Sequence, residues 1–264
     1  MELAVICKQA EQVVRAAGAY ILENRKIFSF DEVEKKGDRD FVTAIDKATE
    51  RIITAGLKGL VPEAGFITEE ATIEQGTGTL NWVIDPIDGT TNFIHNTPVT
   101  AVSVALMSGK EVLIGLVYEV TMDELFYTWK GAPSYMNGKE IHVSTCSDIR
   151  KALVATGFPY SREGRLPGIL NSAGYFLEHA QDLRRFGSAA TDLCYVASGR
   201  VEIYYEAYLK LWDVAAGLLI VENAGGTINV VYESDVYGGT AVLATNGLVR
   251  QQAMEGIFFR DAFR

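Results

Sequence analysis

The sequence predicts a mixed fold of α+β and α/β type, with an antiparallel sheet in its N-terminal half and an α/β unit in its C-terminal half. Three observations lead there. Leu3, Ile6, Ala10, Val13, Val14, Ala17 and Ile21 recur at helical spacing. Residues 99–129 follow as apolar strand-length runs broken at Ser108-Gly109-Lys110, which reads as an antiparallel meander. After a break in pattern at 144–151, a short strand at 152–155 is followed by helical spacing, another strand and a long apolar helix. The halves are set at residues 1–147 and 148–264.

The totals bound the function. The chain has 264 residues, 48% of them hydrophobic, so one large core or two closely packed halves is expected. The formal net charge of −10 argues against nucleic acid or an anionic membrane surface as partner. No apolar run is long enough to span a bilayer, and no basic region precedes an apolar one at Met1-Glu2-Leu3. The cytoplasm is the expected compartment. Cys7, Cys146 and Cys194 are odd in number and far apart, and read as small core residues in a reducing environment.

In order along the chain, residues 3–24 make a core-packing helix, and the glycine and charges at 35–40 make an exposed loop or hairpin. Asp46 precedes the helical pattern Ala48, Ile52, Ile53, Ala55, where an N-cap worth about 1 kcal/mol would explain it. Phe66-Ile67-Thr68 is a short strand delivering Glu69 and Glu70 to opposite faces, so one of them can face a pocket. The Gly/Thr-rich stretch 74–80 is expected to be a mobile loop.

Most of the chemistry is concentrated in Trp82-Val83-Ile84-Asp85-Pro86-Ile87-Asp88-Gly89-Thr90-Thr91-Asn92-Phe93. Trp82 to Ile84 end a buried strand, and Pro86, with no N–H to donate, should stop it. The turn aims Asp85 and Asp88 into one space. Gly89 permits close backbone approach, and Thr90 and Thr91 bring hydroxyls and N–H groups. Carboxylates for a hard cation thus lie beside donors for an anion, which is what hydrolysis of a phosphate ester with magnesium requires. An acidic turn with a capping threonine is the plainer alternative.

Further on, Met136-Asn137-Gly138-Lys139 carries a hairpin signal, and the lone His95 and His142 read as structural or surface residues. Thr156–Tyr160 is a turn, 161–168 a charged loop and 168–180 helical. Arg184 and Arg185 read as a solvated face before Gly187-Ser188-Ala189, which open the next helix. Val201 to Glu206 alternate as a strand that Glu206 closes. Leu211 to Gly226 form a helix with Asp213 near its start, again an N-cap candidate, and a Gly-Gly stop. A strand at 241–244 and a terminal helix finish the chain, which has no repeats.

The string at 82–93 resembles that of the inositol monophosphatase family, in the magnesium-dependent, lithium-sensitive sugar phosphatase superfamily. The resemblance extends over nearly the whole chain. Asp40-Phe41-Val42-Thr43-Ala44-Ile45-Asp46 is similar to the family's first motif. Thr68-Glu69-Glu70 is similar to its Gly-Glu-Glu, with threonine in place of glycine. Trp212-Asp213 through Gly225-Gly226 is similar to its last motif, with Asn223 between Glu222 and Ala224 as a departure.

The resemblance implies a layered αβαβα sandwich. It also implies two magnesium ions, with room for a weaker third near Glu69. One ion takes Glu69, Asp85 and the carbonyl of Ile87; the other takes Asp85, Asp88 and Asp213. Glu69, Asp46 and Thr90 are the implied catalytic groups, with Asp46 and Thr90 orienting an attacking water, and Lys35 (beside Lys36) is an accessory. Substrate is implied to lie along Asp88, Gly89, Thr90, Thr91, Gly187, Ser188, Ala189, Glu206 and Asp213, with Glu206 on a ring hydroxyl. Lys210 stands where relatives carry histidine or another polar residue and bears on substrate choice. The implied activity is hydrolysis of inositol monophosphate, or a related inositol or sugar phosphate, by direct attack of metal-activated water. A covalent aspartyl-phosphate is not expected, because Asp-x-x-Asp-Gly-Thr lacks the Asp-x-Asp spacing of that chemistry. The alternatives are a 3′(2′),5′-bisphosphate nucleotidase, a histidinol-phosphatase or a phosphatase of larger inositol phosphate esters. A regulatory binding protein on the same fold is the non-enzyme alternative. Relatives are commonly dimers, so a homodimer acting on a small phosphate ester is expected.

Overall fold

Apolar residues at helical spacing give α1 (Leu3–Arg25), whose buried face includes Ile6, Ala10, Val14, Ala17 and Ile21. The computed structural model describes residues 2–28, 34–37, 40–160, 162–234 and 239–263. A small antiparallel ribbon, β1 (Glu34–Gly37) and β2 (Asp40–Val42), leads into α2 (Ala44–Leu57). The side chain of Lys35 lies outside the described residues; its backbone pairs with Phe41.

The first large sheet takes β3 (Gly65–Thr68), β4 (Leu80–Asp88), β5 (Ala101–Ser108), β6 (Glu111–Glu119), β7 (Glu124–Trp129), β8 (Ser134–Met136) and β9 (Lys139–Ile141), side by side in chain order. The short α3 (Thr90–Ile94) follows β4. β3 runs parallel to β4, and every other neighbour is antiparallel. The meander and the hairpin are therefore as expected, with Asn137 and Gly138 both at positive φ in the turn between β8 and β9.

The second part of the chain supplies β10 (Leu153–Thr156), α4 (Leu166–His179), β11 (Asp182–Arg184), α5 (Ala189–Ala197), β12 (Ile203–Leu209), α6 (Leu211–Asn223), β13 (Thr227–Ser234), β14 (Gly239–Thr245) and α7 (Arg250–Gly256). Its sheet has the order β11-β10-β12-β14-β13, with β10 parallel to both neighbours and the other pairs antiparallel.

Three hydrophobic clusters divide these elements into five layers. α1 and α2 pack on one face of the seven-stranded sheet. α5 and α6 fill the space between the two sheets. α4 and α7 cover the outer face of the five-stranded sheet. The layered αβαβα arrangement is the one the sequence implied. α6 is apolar nearly all round because a sheet lies on both sides of it; Val214 to Val221 are all buried. Gly115 of β6 lets that helix approach, since a Cβ there would sit 2.6 Å from the Ala216 carbonyl oxygen. Among the described residues no helix is long and apolar enough to cross a membrane.

Several local expectations need correction. β4 does not stop at Pro86 but runs on to Asp88, because its pairing with β5 shifts register between Asp85 and Asp88. The proline falls in that irregularity, where a missing N–H costs little. Asp46 is not the N-cap of α2. Thr43 is, and Asp46 closes a capping box from the third helical position. Asp213 likewise is the third residue of α6, and its Oδ2 accepts the N–H of the N-cap residue Lys210 at 2.7 Å. β12 continues past Glu206 to Leu209 through another register shift. Cys7 and Cys194 are buried, whereas Cys146 is half-buried. The 74–80 stretch is a loop up to β4, as expected; within it the Gly76 N–H donates to the Phe66 carbonyl at 2.6 Å, and Gln75 brackets Thr68.

Candidate active site

The C-terminal end of β4 is the centre of the site. Asp85 is almost wholly buried there, and its Oδ1 accepts the Ile87 N–H at 3.0 Å, which folds the carboxylate over the bulge. Gly89 then turns the chain at φ 99°, a conformation costly for any residue with a Cβ. A Cβ would also meet the Val99 carbonyl oxygen at 2.8 Å and that of Gly187 at 3.2 Å. The glycine thus lets the β4–α3 turn touch the loop before α5.

Around this turn lies a cavity of about 610 Å³. Glu69 follows β3, Asp85, Ile87 and Asp88 come from β4, and Gly89, Thr90 and Thr91 from the turn and α3; all of them line it. Gly187, Ser188 and Ala189 form the α5 side, Glu206 comes from β12 and Asp213 from the first turn of α6. Five carboxylates from four separate stretches of chain therefore face one space. Glu69 is joined to its neighbours through β3–β4 pairing, its N–H donating to the Ile84 carbonyl at 3.2 Å next to Asp85. Its carboxyl also helps to raise the pKa of that of Asp85.

Asp46 stands one residue behind the wall. The Thr90 hydroxyl lies 3.0 Å from the Ile87 carbonyl oxygen and 3.4 Å from Asp46 Oδ1. Asp46 Oδ2 accepts the Thr43 N–H at 2.8 Å and the Thr43 hydroxyl at 2.5 Å, so its rotamer is locked. Asp88 is held from the other side: its Oδ2 accepts the Ser188 hydroxyl and the Ala190 N–H, both at 2.7 Å.

The electrostatics follow from this crowding. Burial pushes the Asp85 carboxyl well above the usual range, and Glu69, Asp88 and Asp213 push it further. Asp213 is driven well up by burial and then by Asp88, against the Lys210 N–H that stabilises its charge. Asp88 is raised by burial, with Ser188, the backbone N–H groups of Ala190 and Ala189, and Arg185 opposing. Burial lifts Glu206 to about 7, against the pull of Arg185 and the Tyr204 hydroxyl that donates to it at 2.9 Å. Among the described residues no three acidic, imidazole or thiol side chains close around a point that an ion could occupy.

Sequence reasoning missed part of the wall. Arg185 is exposed, as its reading as a solvated face expects, and it also lines the cavity together with Phe158, Tyr208 and Trp212. It also missed Asn92, whose amide donates to the carbonyl oxygens of Phe186 at 2.7 Å and Val99 at 2.8 Å, binding the turn to the loop before α5. Asn92 stands in the 82–93 string, but its link to Phe186 had no local signal, since that residue lies 94 positions away. Glu50 and Gln75 were missed as well. For Glu50 a signal existed: it lies four residues beyond Asp46 on the line that runs on to Ile53 and Leu57, the buried face of α2.

The model of the inositol monophosphatase family matches residues 2–258. The Nus factor SuhB of Escherichia coli strain K12 is 39% identical over 241 residues, covering 91% of this chain and 88% of that protein. The inositol monophosphatase structure from Anabaena (Nostoc) sp. PCC 7120 superposes with a TM-score of 0.84 at 31% identity, over 97% of this chain and 96% of that one. Staphylococcal IMPase-II with inositol monophosphate bound gives a TM-score of 0.76 at 25% identity, over 97% and 96% of the two chains.

Proposed function

The chain belongs to the inositol monophosphatase family, and from that premise we propose that it hydrolyses a phosphate monoester of inositol or a related sugar with the help of magnesium. The observation that carries this reading is the convergence of Glu69, Asp85, Asp88 and Asp213 on one cavity beside Gly89, Thr90 and Thr91. Burial destabilises three of those carboxyls as anions, and neighbouring carboxylates add to the effect at Asp85 and Asp213. No histidine or cysteine lines the cavity among the described residues. An all-oxygen, acidic donor set suits a hard divalent cation and not zinc.

Glu69, Asp85 and the Ile87 carbonyl would hold one ion, and Asp85, Asp88 and Asp213 a second, with a weaker third near Glu69. Most of these ligands come from residues 1–147, which we take as one structural half, and Asp213 from the other. Magnesium so held would neutralise phosphate charge and acidify water. The protein's own groups would do the rest. Thr90, held between Ile87 and Asp46, would fix a water in line with the ester, and Asp46 would draw its proton through the Thr90 hydroxyl. N–H groups at Gly89-Thr90-Thr91 would grip phosphate oxygens. Glu206 would receive a hydrogen bond from a ring hydroxyl, and Gly187-Ser188-Ala189 would flank the ring. Lys35 would assist from the β1–β2 ribbon. Lys210, Arg185 and Tyr208 line the outer part of the cavity and would decide which ester fits.

A second role as a regulatory binding protein draws on the name Nus factor carried by relatives. The complete acidic set favours the enzyme. The family further supports a homodimer in the cytoplasm. The test is magnesium-dependent phosphate release from a panel of inositol, sugar, histidinol and nucleotide phosphates. Release from inositol monophosphate is expected. Turnover confined to 3′-phosphonucleotides would reject the inositol assignment, and no turnover on any ester would favour the binding role.

A further inference from the structure

Glu69 sits at the end of β3, where the strand gives way to a turn. A metal ligand at such a place needs its backbone fixed on both sides, because a shift of an ångström would remove it from a coordination sphere. Upstream, Gln75 supplies the clamp: its Oε1 accepts the Thr68 N–H at 2.9 Å, and its amide donates to the Thr68 hydroxyl at 3.1 Å. Downstream, the chain bends sharply, with Ala71 at φ 50° in the left-handed region, which a residue with a Cβ adopts only under constraint.

That constraint is the Glu50 carboxylate. Glu50 is fully buried on α2. One of its oxygens accepts the Glu70 N–H at 2.8 Å. The other accepts the Thr72 N–H at 2.7 Å and the Thr72 hydroxyl at 2.6 Å. Three short bonds from one buried acid to Glu70 and Thr72, two of the three residues after Glu69, are more than is needed to satisfy a turn, and charge-assisted bonds of this length are among the strongest available. On α2, Glu50 is one helical turn beyond Asp46, the residue that contacts Thr90. A single rigid helix thereby reaches two walls of the cavity.

We propose that Glu50 is a positioning residue: through the Glu70 and Thr72 N–H groups it sets where Glu69 points, and it keeps Glu69 in register with Asp46. The proposal rests on the reading of Glu69 as a metal ligand. Glu50 itself touches neither ion nor substrate.

The test measures Mn²⁺ binding by titration calorimetry without substrate, in the wild type and in E50Q, T72V and D85N, with thermal unfolding and amide exchange of each. E50Q keeps the shape but turns an NH₂ group toward an N–H donor. It is expected to weaken Mn²⁺ binding by roughly tenfold or more, the usual cost of losing a residue that orients a ligand. Exchange at Glu70 and Thr72 should speed up in the same variant. The magnesium concentration for half-maximal turnover should rise, with kcat at saturating magnesium nearly unchanged. T72V, which removes only the hydroxyl donor, is expected to show a smaller loss in the same direction, and it decides the matter should E50Q fail to fold. Wild-type Mn²⁺ affinity in E50Q or in T72V, while D85N loses binding, would overturn the role of Glu50 and leave the metal site standing. Absence of Mn²⁺ binding in the wild type would overturn both.

Discussion

The Ser188 hydroxyl donates to Asp88 Oδ2 at 2.7 Å, across one hundred residues of sequence. It joins the end of β4 to the first turn of α5 and so ties the seven-stranded sheet to the helix layer beneath the cavity. Ser188 is also the N-cap of α5, its oxygen accepting the Thr191 N–H at 3.2 Å. S188A should therefore have two effects. Thermal unfolding should report a loss of about 1 kcal/mol for the cap. Phosphate release should fall by roughly tenfold, the worth of one hydrogen bond to a charged group, because Asp88 loses one of the donors that aim it. Unchanged kinetics would mean that the serine serves the helix alone.

D88N should separate chemistry from folding. The amide oxygen can still accept from Ala190, and removing one of several crowded buried acids relieves repulsion. Urea unfolding without metal should show equal or greater stability than wild type. Turnover should fall by about a hundredfold or more, as expected for loss of an electrostatic contributor to catalysis. Wild-type rates would remove Asp88 from the metal set.

Glu206 gives a pH signature. Burial holds its pKa at about 7, above the ordinary 4.5. Below the lower value the side chain is protonated in both folded and unfolded protein and costs nothing. Between the two values only the unfolded chain releases the proton, so stability falls as pH rises, with a slope approaching about 1.4 kcal/mol per pH unit for this one group. Above about 7 the penalty is complete. Against wild type in EDTA, E206Q should be gaining relative stability from pH 5 to pH 7 and level off by pH 8. A stability difference independent of pH would show that Glu206 titrates normally.

Magnesium should stabilise the protein and displace protons. Burial and mutual repulsion push Asp85 and Asp213 well up, and a divalent cation takes their carboxylate forms. At a hundredfold excess over its dissociation constant the ion should add about 2.7 kcal/mol to unfolding stability. The heat of binding should vary with the ionisation enthalpy of the buffer. D85N should show neither effect, and a wild-type Tm equal in magnesium and in EDTA would count against the site.

These residues also show how far the sequence could be read. Asp85 to Thr91 are contiguous, so their chemistry was visible before any fold was known. The helix carrying Asp213 announced itself through its apolar body and Gly-Gly stop. The bulge at Pro86 was not visible, since it depends on the register β4 adopts against β5. Nor was the exchange of N-cap roles at Thr43 and Asp46, because both residues cap helices well and only the backbone angles choose between them. Glu50, Gln75 and Asn92 act on backbone groups of other segments, and nothing in their own neighbourhoods names those targets. Arg185 reads as solvated and is exposed; that it also borders the cavity depends on chain that arrives from elsewhere.

The most direct measurement is a crystal soaked in Mn²⁺ with data collected at the manganese absorption edge. Anomalous peaks are expected inside the cavity, within coordinating distance of Asp85 and of at least one of Glu69, Asp88 and Asp213. No peak there at a Mn²⁺ concentration that supports full phosphate release would contradict a metal site built from these four carboxylates.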